Sequence, residues 1–431
     1  MPAGTQAVRP AGSATRRVAA RKVVEHVDWR PLAVVEIVWL GFALLFTPFM
    51  LPGSDAIYAF TFLRALFGEN AHPTTGYQAG LAYFETPFYA IGKVLDWLGL
   101  HSIVGQPIGA AVIALGMILC TAVTIAVAAG VIRALGLQHG PLVAAAAVFG
   151  TTVFFYAVFS PGQTHAVDAL LSTVIAALAL GAFRRKWDLR WIAAVGVVAG
   201  IAMSVRYYDA AQVVGLGAVL LLYRRFKQTV VLAAATASAF GLMLVPILLM
   251  GVHVFGGNFS PDHYVRWSPS SPPKMLYTDH RGLFVWTPLV LLGCVGIARL
   301  IWKRPQERPF YLFVALAGVT LCASYASVTI WDAGWSFSNR YLTQLFPLAF
   351  IGVAGLIDLR PRVMGALALG TALWSLFLGL SLATVQVFDA GRESASSVAR
   401  PVLSGSVSPG EFAYGLYRHS ALLSRVFHKH R

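Results

Sequence analysis

Long apolar segments separated by short polar loops run through most of this 431-residue chain. An apolar run of about 18 residues or more predicts a membrane-crossing helix, because a helix satisfies its own backbone hydrogen bonds in lipid. The pattern therefore predicts an all-α, polytopic membrane protein with about 11 transmembrane helices. The predicted spans are 31–52, 107–134, 140–160, 165–183, 190–207, 209–223, 229–253, 283–302, 309–329, 341–358 and 363–387.

Basic residues are concentrated in alternate loops between the predicted spans. The loops that hold them contain Arg133, 184–186, 224–227, 303–308 and 360–362. Since loops rich in Lys and Arg stay in the cytoplasm, we expect a protein of the cell (inner) membrane with a cytoplasmic N-terminus. The opposite loops are then extracytoplasmic, and they hold most of the acidic residues. These outer segments are 53–106, 161–164, 206–209, 256–282 and 329–340.

The polar pattern divides the chain into three regions. Residues 1–30 form a basic cytoplasmic segment, 31–387 the transmembrane domain, and 388–431 a polar, basic tail expected to be flexible or surface-bound outside. The first apolar run is expected to be a retained signal anchor, because it is longer than a signal-peptide core. In loop 53–106, helical spacing with polar faces predicts helices that lie in the membrane interface. A crossing at 81–100 is not expected, because it would move the basic loops outside.

Composition and charge agree with a membrane protein. Hydrophobic residues make up 57% of the chain and charged residues 12%, and the mean hydropathy is +0.68. The net charge of +15 does not indicate nucleic-acid binding, because the basic residues stand at span ends. Cys120, Cys294 and Cys322 all lie in predicted spans, where packing is their expected role. Motifs for a Gly-rich phosphate loop, a metal cluster or a nucleophile elbow do not occur, so we expect neither cofactor nor metal.

Several polar residues stand where an outer segment meets a span. Asp55 follows the first span, which suits either a catalytic base or the N-cap of an interfacial helix. His165 and Asp168 begin the fourth span and share a helical face, being three residues apart. The alternative for both is a polar side chain satisfied by a neighbouring helix. For Arg206, at the tip of the two short spans, the alternative is an internal ion pair with Asp209.

Several outer segments resemble motifs found in one family. They are Asp55 with Tyr58, Tyr83–Phe88, His165–Leu170, Tyr277–Pro288 and Asp332–Leu342. In this order they resemble the GT-C superfamily, and in particular its aminoarabinose-transferase and protein O-mannosyltransferase branch. The resemblance runs from about residue 31 to 385. Segment 83–88 is similar to the family's E-K-P-P-L stretch, but Thr86 stands where Lys is usual and Phe88 where the second Pro is usual.

The resemblance implies a GT-C-like fold and a function. Such enzymes move a sugar from a polyprenyl-phosphate donor to a glycan, lipid or protein acceptor at the extracytoplasmic face, with inversion at the anomeric carbon. It makes Asp55 the expected general base, and it makes Asp168 and Glu85 further catalytic candidates that hold the acceptor. The candidates for the lipid phosphate and substrate are Arg206, Arg340, Arg281, Lys274, His165 and Tyr58.

Two other functions fit the same pattern. A transporter or flippase of a lipid-linked sugar would place polar sites near the membrane midplane, and the hairpin tip at 206–209 favours it. A non-catalytic membrane scaffold is favoured by Thr86, where the family has a cation. In that case Asp55, Glu85 and Asp168 need not converge on one cavity.

Overall fold

The computed structural model describes residues 29–49, 54–73, 79–252, 271–327, 337–385 and 394–428, and within these ranges the side chains of 54, 55, 385 and 426–428 are not described. The described chain is almost entirely helical, as the sequence predicts. Its one described sheet is a two-residue hairpin, in which β1 (Ser102–Ile103) pairs antiparallel with β2 (Gln106–Pro107). An all-α polytopic architecture is thereby confirmed, while the count of 11 spans stays a prediction.

The described residues of the first half of the chain form a series of helices. These helices are α1 (Arg30–Phe46), α2 (Ser54–Leu66), α3 (Ala79–Trp97), α4 (Ile108–Ala134), α5 (Gly140–Phe149), α6 (Val153–Val158), α7 (His165–Arg184), α8 (Leu189–Val205), α9 (Ala210–Leu222) and α10 (Phe226–Leu249). A single 3-10 turn at Tyr207–Asp209 joins α8 to α9. The two short predicted spans therefore form two separate helices rather than one long helix.

The second half continues with helices of more varied length. They are α11 (Ser271–Tyr277), α12 (Leu283–Trp286), α13 (Leu289–Lys303), α14 (Arg308–Ala326), α15 (Phe346–Ile357), α16 (Pro361–Val385), α17 (Ala395–Leu403), α18 (Pro409–His419) and α19 (Ala421–His428). A 3-10 segment at Arg340–Leu345 leads into α15. The described residues contain six helices long and apolar enough to cross a membrane, and shorter apolar helices such as α8 lie among them.

Two of the predicted spans are broken rather than continuous. The span predicted at 140–160 is divided into α5 and α6 at Gly150–Thr152, and the span at 283–302 is divided into α12 and α13 at Thr287–Pro288. Pro288 lacks the backbone N–H that a continuing helix needs. Both breaks lie inside the protein and not at its surface, since Thr151, Thr152 and Thr287 are all at most 5% exposed.

Helix α3 packs lengthwise against the first half of α4. A Cβ on Gly92 would meet the backbone of Gly109 at 2.9 Å, and a Cβ on Gly116 would meet the ring of Phe88 at 2.6 Å. Glycines at these positions let the two helices approach closely in an antiparallel arrangement. The predicted interfacial helix therefore forms, but it runs alongside the transmembrane helix rather than flat across its end.

Aromatic side chains around α6 connect the helices beneath the candidate site. Phe154 lies 6.2 Å from Phe149 and 5.4 Å from Phe337, measured between ring centroids. Phe149 in turn contacts Trp39 of α1 at 5.7 Å, and Phe337 contacts Trp286 of α12 at 5.4 Å. Large buried aromatic rings make extensive contacts in fixed orientations, so this group holds α1, α5, α6 and α12 together.

Candidate active site

The first turn of α7 places two polar side chains in the interior. His165 is 1% exposed and Asp168 is fully buried, and their three-residue spacing puts them on one helical face. Asp168 pairs with Arg206, whose Nη1 atom lies 3.1 Å from its Oδ2. The side chain of Arg206 is 5% exposed and that of Asp168 is 0% exposed. The structure thus brings three of the predicted site residues into direct contact.

Arg206 uses its guanidinium for contacts within the protein. The same Nη1 donates to Nδ1 of His165 at 3.2 Å and approaches the backbone carbonyl of Arg340 at 3.4 Å. An arginine only donates, so Nδ1 of His165 accepts and the ring proton of the neutral imidazole is on Nε2. The predicted alternative, an internal ion pair, therefore holds for Arg206, but its hydrogen-bonded partner is Asp168 instead of Asp209. Arg206 is better placed to position the cluster than to bind phosphate.

The backbone at Arg206 explains the choice of partner. This residue is extended, with φ −147° and ψ 121°, where α8 ends. The turn directs its side chain back toward α7, whereas Asp209 lies in the 3-10 turn that follows. Asp209 is fully buried, neither of its carboxylate oxygens has a described hydrogen-bond partner, and the side chain of Gln344 interacts with it. Arg206 consequently lies near two acids and hydrogen-bonds one.

Arg340 completes the cluster from the other side. It begins the 3-10 segment before α15, and its Nη1 donates to Oε1 of Gln163 at 3.1 Å. Arg340 is half-buried, unlike Arg206. The ring of Tyr341 lies 5.4 Å from the guanidinium carbon of Arg206 and 5.8 Å from that of Arg340. Both guanidiniums are therefore within cation–π distance of the same ring.

Threonine and tyrosine hydroxyls connect the cluster to its surroundings. Thr343 Oγ1 lies 3.1 Å from Nδ1 of His165 and 2.9 Å from Oγ1 of Thr152, and it donates to the carbonyl of Arg340 at 2.7 Å. Tyr156 lies 4.1 Å from the His165 ring, centroid to centroid. Together these contacts join α6, α7 and the 3-10 segment at one end of the bundle.

Arg281 lies next to this cluster through an aromatic bridge. It is 1% exposed, and its guanidinium carbon lies 5.3 Å from the ring of Trp286. Trp286 contacts Phe337, and the backbone N–H of Phe337 donates to the hydroxyl of Tyr156 at 2.9 Å. The predicted Arg281 therefore belongs to the same end of the bundle as His165.

The other predicted residues lie outside this group of contacts. Glu85 is 1% exposed, its two oxygens have no described hydrogen-bond partner, and it lies near Cys120 of α4. Lys274 on α11 is exposed, and Tyr58 on α2 is 41% exposed. Asp55 is the second residue of α2, and its side chain lies outside the described residues. The described contacts therefore do not join these residues to Asp168.

The side chain of Thr86 hydrogen-bonds within its own helix, α3. Its hydroxyl donates to the carbonyl of Ala82 at 2.9 Å, four residues earlier in α3. This side chain supplies no positive charge where the resembled motif has a lysine. The first turn of α3 nevertheless lies close to the cluster, because a Cβ on Gly80 would overlap Ser204 and Val205, directly before Arg206.

A second polar cluster fixes α2 to α3 outside the predicted spans. Glu69 accepts from Tyr89 at 2.5 Å, from Arg64 at 2.8 Å and from Lys93 at 3.2 Å. The hydrogen bond from Tyr89, with those from Arg64 and Lys93, lowers the pKa of Glu69 to about 2 against the opposing effect of desolvation. Burial and the bond to Glu69 raise the pKa of Tyr89. This cluster sets the geometry of the segment that begins at Asp55.

Sequence reasoning missed several members of the candidate site. Thr343, Gln344, Tyr156 and Gln163 are buried polar residues inside or beside apolar spans. The sequence did contain a signal for them, namely single hydroxyl or amide side chains within apolar runs. Such groups are usually buried only where they have hydrogen-bond partners, so their positions indicate polar contacts inside the bundle. Among the described residues, no group of three or more His, Cys, Asp or Glu side chains is placed to hold a metal ion.

Similarity to known proteins is found in the structure and not in the sequence. The sequence matches no protein-family model, and no curated protein resembles it closely enough to count as a match. The crystal structure of ArnT from Cupriavidus metallidurans bound to undecaprenyl phosphate is similar, with a TM-score of 0.50 at 18% identity. That alignment covers 96% of this chain and 75% of the ArnT chain.

A second similar structure is the oligosaccharyltransferase of Archaeoglobus fulgidus in complex with zinc and sulfate. Its TM-score is 0.52 at 12% identity, and the alignment covers 90% of this chain but 57% of the other. This chain thus spans most of one structure and little more than half of the other. Likeness at this identity concerns the path of the helices. The chain therefore shares its overall fold with ArnT and with the archaeal oligosaccharyltransferase.

Proposed function

We propose that this protein transfers a sugar from a polyprenyl-phosphate donor to an acceptor hydroxyl at the extracytoplasmic face of the membrane. The observation that supports this most is the buried pair of Asp168 and Arg206 beside the half-buried Arg340. It lies at one end of a helical bundle whose fold resembles that of ArnT bound to undecaprenyl phosphate. The basic loops support an extracytoplasmic position for this end, since loops rich in Lys and Arg favour a cytoplasmic position for the opposite end.

The reaction needs a base and a site for the departing phosphate. In the proposed step, the acceptor oxygen forms a bond to the anomeric carbon from the face opposite the phosphate, which inverts the configuration. The bond between that carbon and the phosphate oxygen breaks, and polyprenyl phosphate leaves with the electron pair. Asp55 accepts the proton of the acceptor hydroxyl, a contribution of roughly 10²- to 10⁴-fold for a well-placed general base.

The cations have separate roles in this proposal. Arg340, half-buried at the start of the 3-10 segment, binds the lipid phosphate, because a guanidinium grips phosphate through two hydrogen bonds. Arg206 is buried and holds Asp168 and His165 in place. Arg281 forms the neighbouring wall beside Trp286. In this proposal the three arginines supply the positive charge that the resembled motif takes from a lysine, at the position where this chain has Thr86.

The acidic residues also divide their tasks. Asp168 orients the acceptor through the carboxylate oxygen that Arg206 leaves without a described partner, Oδ1. Glu85 lies on α3, whose first turn contacts the end of α8 directly before Arg206. We therefore keep it as the third acidic candidate of the proposed site.

Donor cleavage tests this function against transport. The purified protein is reconstituted in liposomes with a panel of synthetic undecaprenyl-phosphate sugars and membrane extracts as the source of acceptors. We expect release of undecaprenyl phosphate, measured by mass spectrometry, in wild-type liposomes and not in liposomes without protein. Movement of intact donor between leaflets without cleavage would support the transporter and overturn the proposal.

A further inference from the structure

Residues 394–428 fold back onto the outer end of the bundle. Helix α17 packs on α16 through the buried Ala395, Val398 and Ala399, which recur with helical spacing. Helix α18 also packs on α16, where a Cβ on Gly415 would meet Thr384 at 2.8 Å. Helix α19 packs on α1. We call residues 394–428 the C-terminal clasp.

The first attachment of the clasp is a helix cap supplied by the bundle. The backbone N–H groups at a helix start lack partners within the helix. Asp279, which lies 117 residues earlier, accepts from the N–H of Ser396 at 2.9 Å and from the Ser396 hydroxyl. The N–H of Ala395 donates to the backbone carbonyl of Asp279 at 2.9 Å. The start of α17 is therefore capped by the segment that contains Arg281.

The charge state of Asp279 suits this cap. Partial desolvation raises the pKa of Asp279, but hydrogen bonds from Ser396 and Ser394 outweigh that effect, so its pKa lies below the ordinary value. An ionised carboxylate is the favourable acceptor at a helix N-terminus, where the helix dipole is positive. The carbonyl of Asp279 also accepts from Nε1 of Trp286 at 2.9 Å, and Trp286 contacts Arg281.

The second attachment reverses the roles, because the clasp caps a bundle helix. The last carbonyl groups of a helix lack partners within it. The Ser420 hydroxyl, 375 residues further along the chain, donates to the carbonyl of Leu45 at the end of α1. The N–H of Ala421 donates to the carbonyl of Thr47 at 3.3 Å. Ser420 is fully buried, and α1 is followed by the segment that leads to Asp55.

We propose that the C-terminal clasp holds the end of α1 and the segment that contains Arg281 in one arrangement, with Asp279 as the positioning residue of the first attachment. The inference rests on the proposed function, because it assigns a purpose to the spacing between the end of α1 and the segment that contains Arg281. Because the clasp is attached both to Asp279 and to the end of α1, it restricts the two segments more than either attachment does alone. The clasp therefore fixes the end of α1, which precedes α2 and Asp55 in the chain, relative to the segment that contains Arg281.

The test uses full-length protein with Asp279→Ala, its rescue by Asp279→Glu, and Ser420→Ala at the second attachment. Asp279 is exposed, so its substitution leaves the bundle folded. The matched control is Glu411→Gln, because the exposed Glu411 forms a capping box only with Ser408 inside the clasp. We expect about fivefold faster amide exchange in both 395–403 and 54–66 for Asp279→Ala and Ser420→Ala. The control alters neither range.

Kinetics distinguish positioning from mere stability. In the liposome assay, kcat for release of undecaprenyl phosphate falls about fivefold in Asp279→Ala, KM for the donor changes less than twofold, and Asp279→Glu restores kcat. Faster exchange in 395–403 with unchanged exchange in 54–66 would overturn the clasp, as would an unchanged kcat. If wild-type protein releases no undecaprenyl phosphate, the proposed function fails, and the exchange in 54–66 still decides whether the clasp exists.

Discussion

Arg206 donates to Asp168 across 3.1 Å in the interior of the bundle, where neither side chain is more than 5% exposed. Both residues stand at the ends of helices, α8 and α7, that are separate along the chain. The guanidinium also reaches His165 and the carbonyl of Arg340. One ion pair thereby sets the relative positions of three segments of the candidate site.

Breaking this pair from one side should destabilise the protein strongly. Asp168→Ala leaves a buried guanidinium without its carboxylate, which costs about 3–5 kcal/mol in free energy of unfolding. The control is Asp358→Ala, which removes the pair with Arg304 at 3.3 Å, whose side chains are 26% and 28% exposed. That loss should stay below about 1 kcal/mol. Thermal unfolding in mixed micelles measures both, and equal effects would contradict the role of the Asp168 pair.

Arg340 should determine affinity for the lipid phosphate. Arg340→Ala is expected to weaken binding of undecaprenyl phosphate about tenfold or more, since hydrogen bonds to charged groups contribute roughly 1.5–3 kcal/mol. Arg418→Ala removes an exposed arginine from α18 and serves as the control. Equilibrium binding to protein in nanodiscs gives both affinities. Equal weakening by both variants would indicate general attraction to positive charge.

The crossing of α13 and α15 should tolerate no side chain. A Cβ on Gly296 would overlap the backbone carbonyl of Gly352, and a Cβ on Gly352 would overlap that of Gly293. Gly296→Ala is therefore expected to cost several kcal/mol or to prevent folding, since overpacking a close contact costs about 1–3 kcal/mol or more. Gly217→Ala, in open space on α9, should instead stabilise by up to about 1 kcal/mol. Unfolding temperatures that move together would contradict this packing.

Glu69 should contribute stability that depends on pH in a defined direction. Its folded-state pKa is about 2, below the ordinary value of 4.5. The contribution is therefore fully present above about pH 4.5 and is lost as the pH falls toward about 2. Glu69→Gln should lower the unfolding temperature at pH 7, by an amount equivalent to about 1 kcal/mol. The difference from wild type should shrink below pH 4, and a constant difference would exclude this origin.

The long spans were predictable because a chain in lipid has to satisfy its backbone hydrogen bonds internally, and a helix does so. An uninterrupted apolar run such as Ile108–Ala134 forms a helix in lipid, and small residues such as Gly109 and Gly116 allow its close approach to α3. The grouping of His165 with Asp168 was likewise predictable from helical spacing. Neither prediction required knowledge of a contact between distant segments.

Contacts between distant segments account for what the sequence left open. Asp209 is the acid nearest to Arg206 along the chain, but the extended backbone at Arg206 directs the guanidinium to Asp168. The capping of α17 by Asp279 and of α1 by Ser420 joins residues 117 and 375 positions apart. A polar, basic tail has no apolar run that would indicate such docking. Its capping boxes at Ser394 and Ser408 were the local signals of helices.

The most direct measurement of the central claim is the rate of undecaprenyl phosphate release by Asp55→Asn. The matched control is Asp96→Asn, which removes an acid that is hydrogen-bonded to His101 at 2.7 Å near the end of α3. With Asp55 as general base, Asp55→Asn should lower the rate by roughly 10²- to 10⁴-fold, while Asp96→Asn keeps the wild-type rate. A wild-type rate in Asp55→Asn would contradict the assigned mechanism.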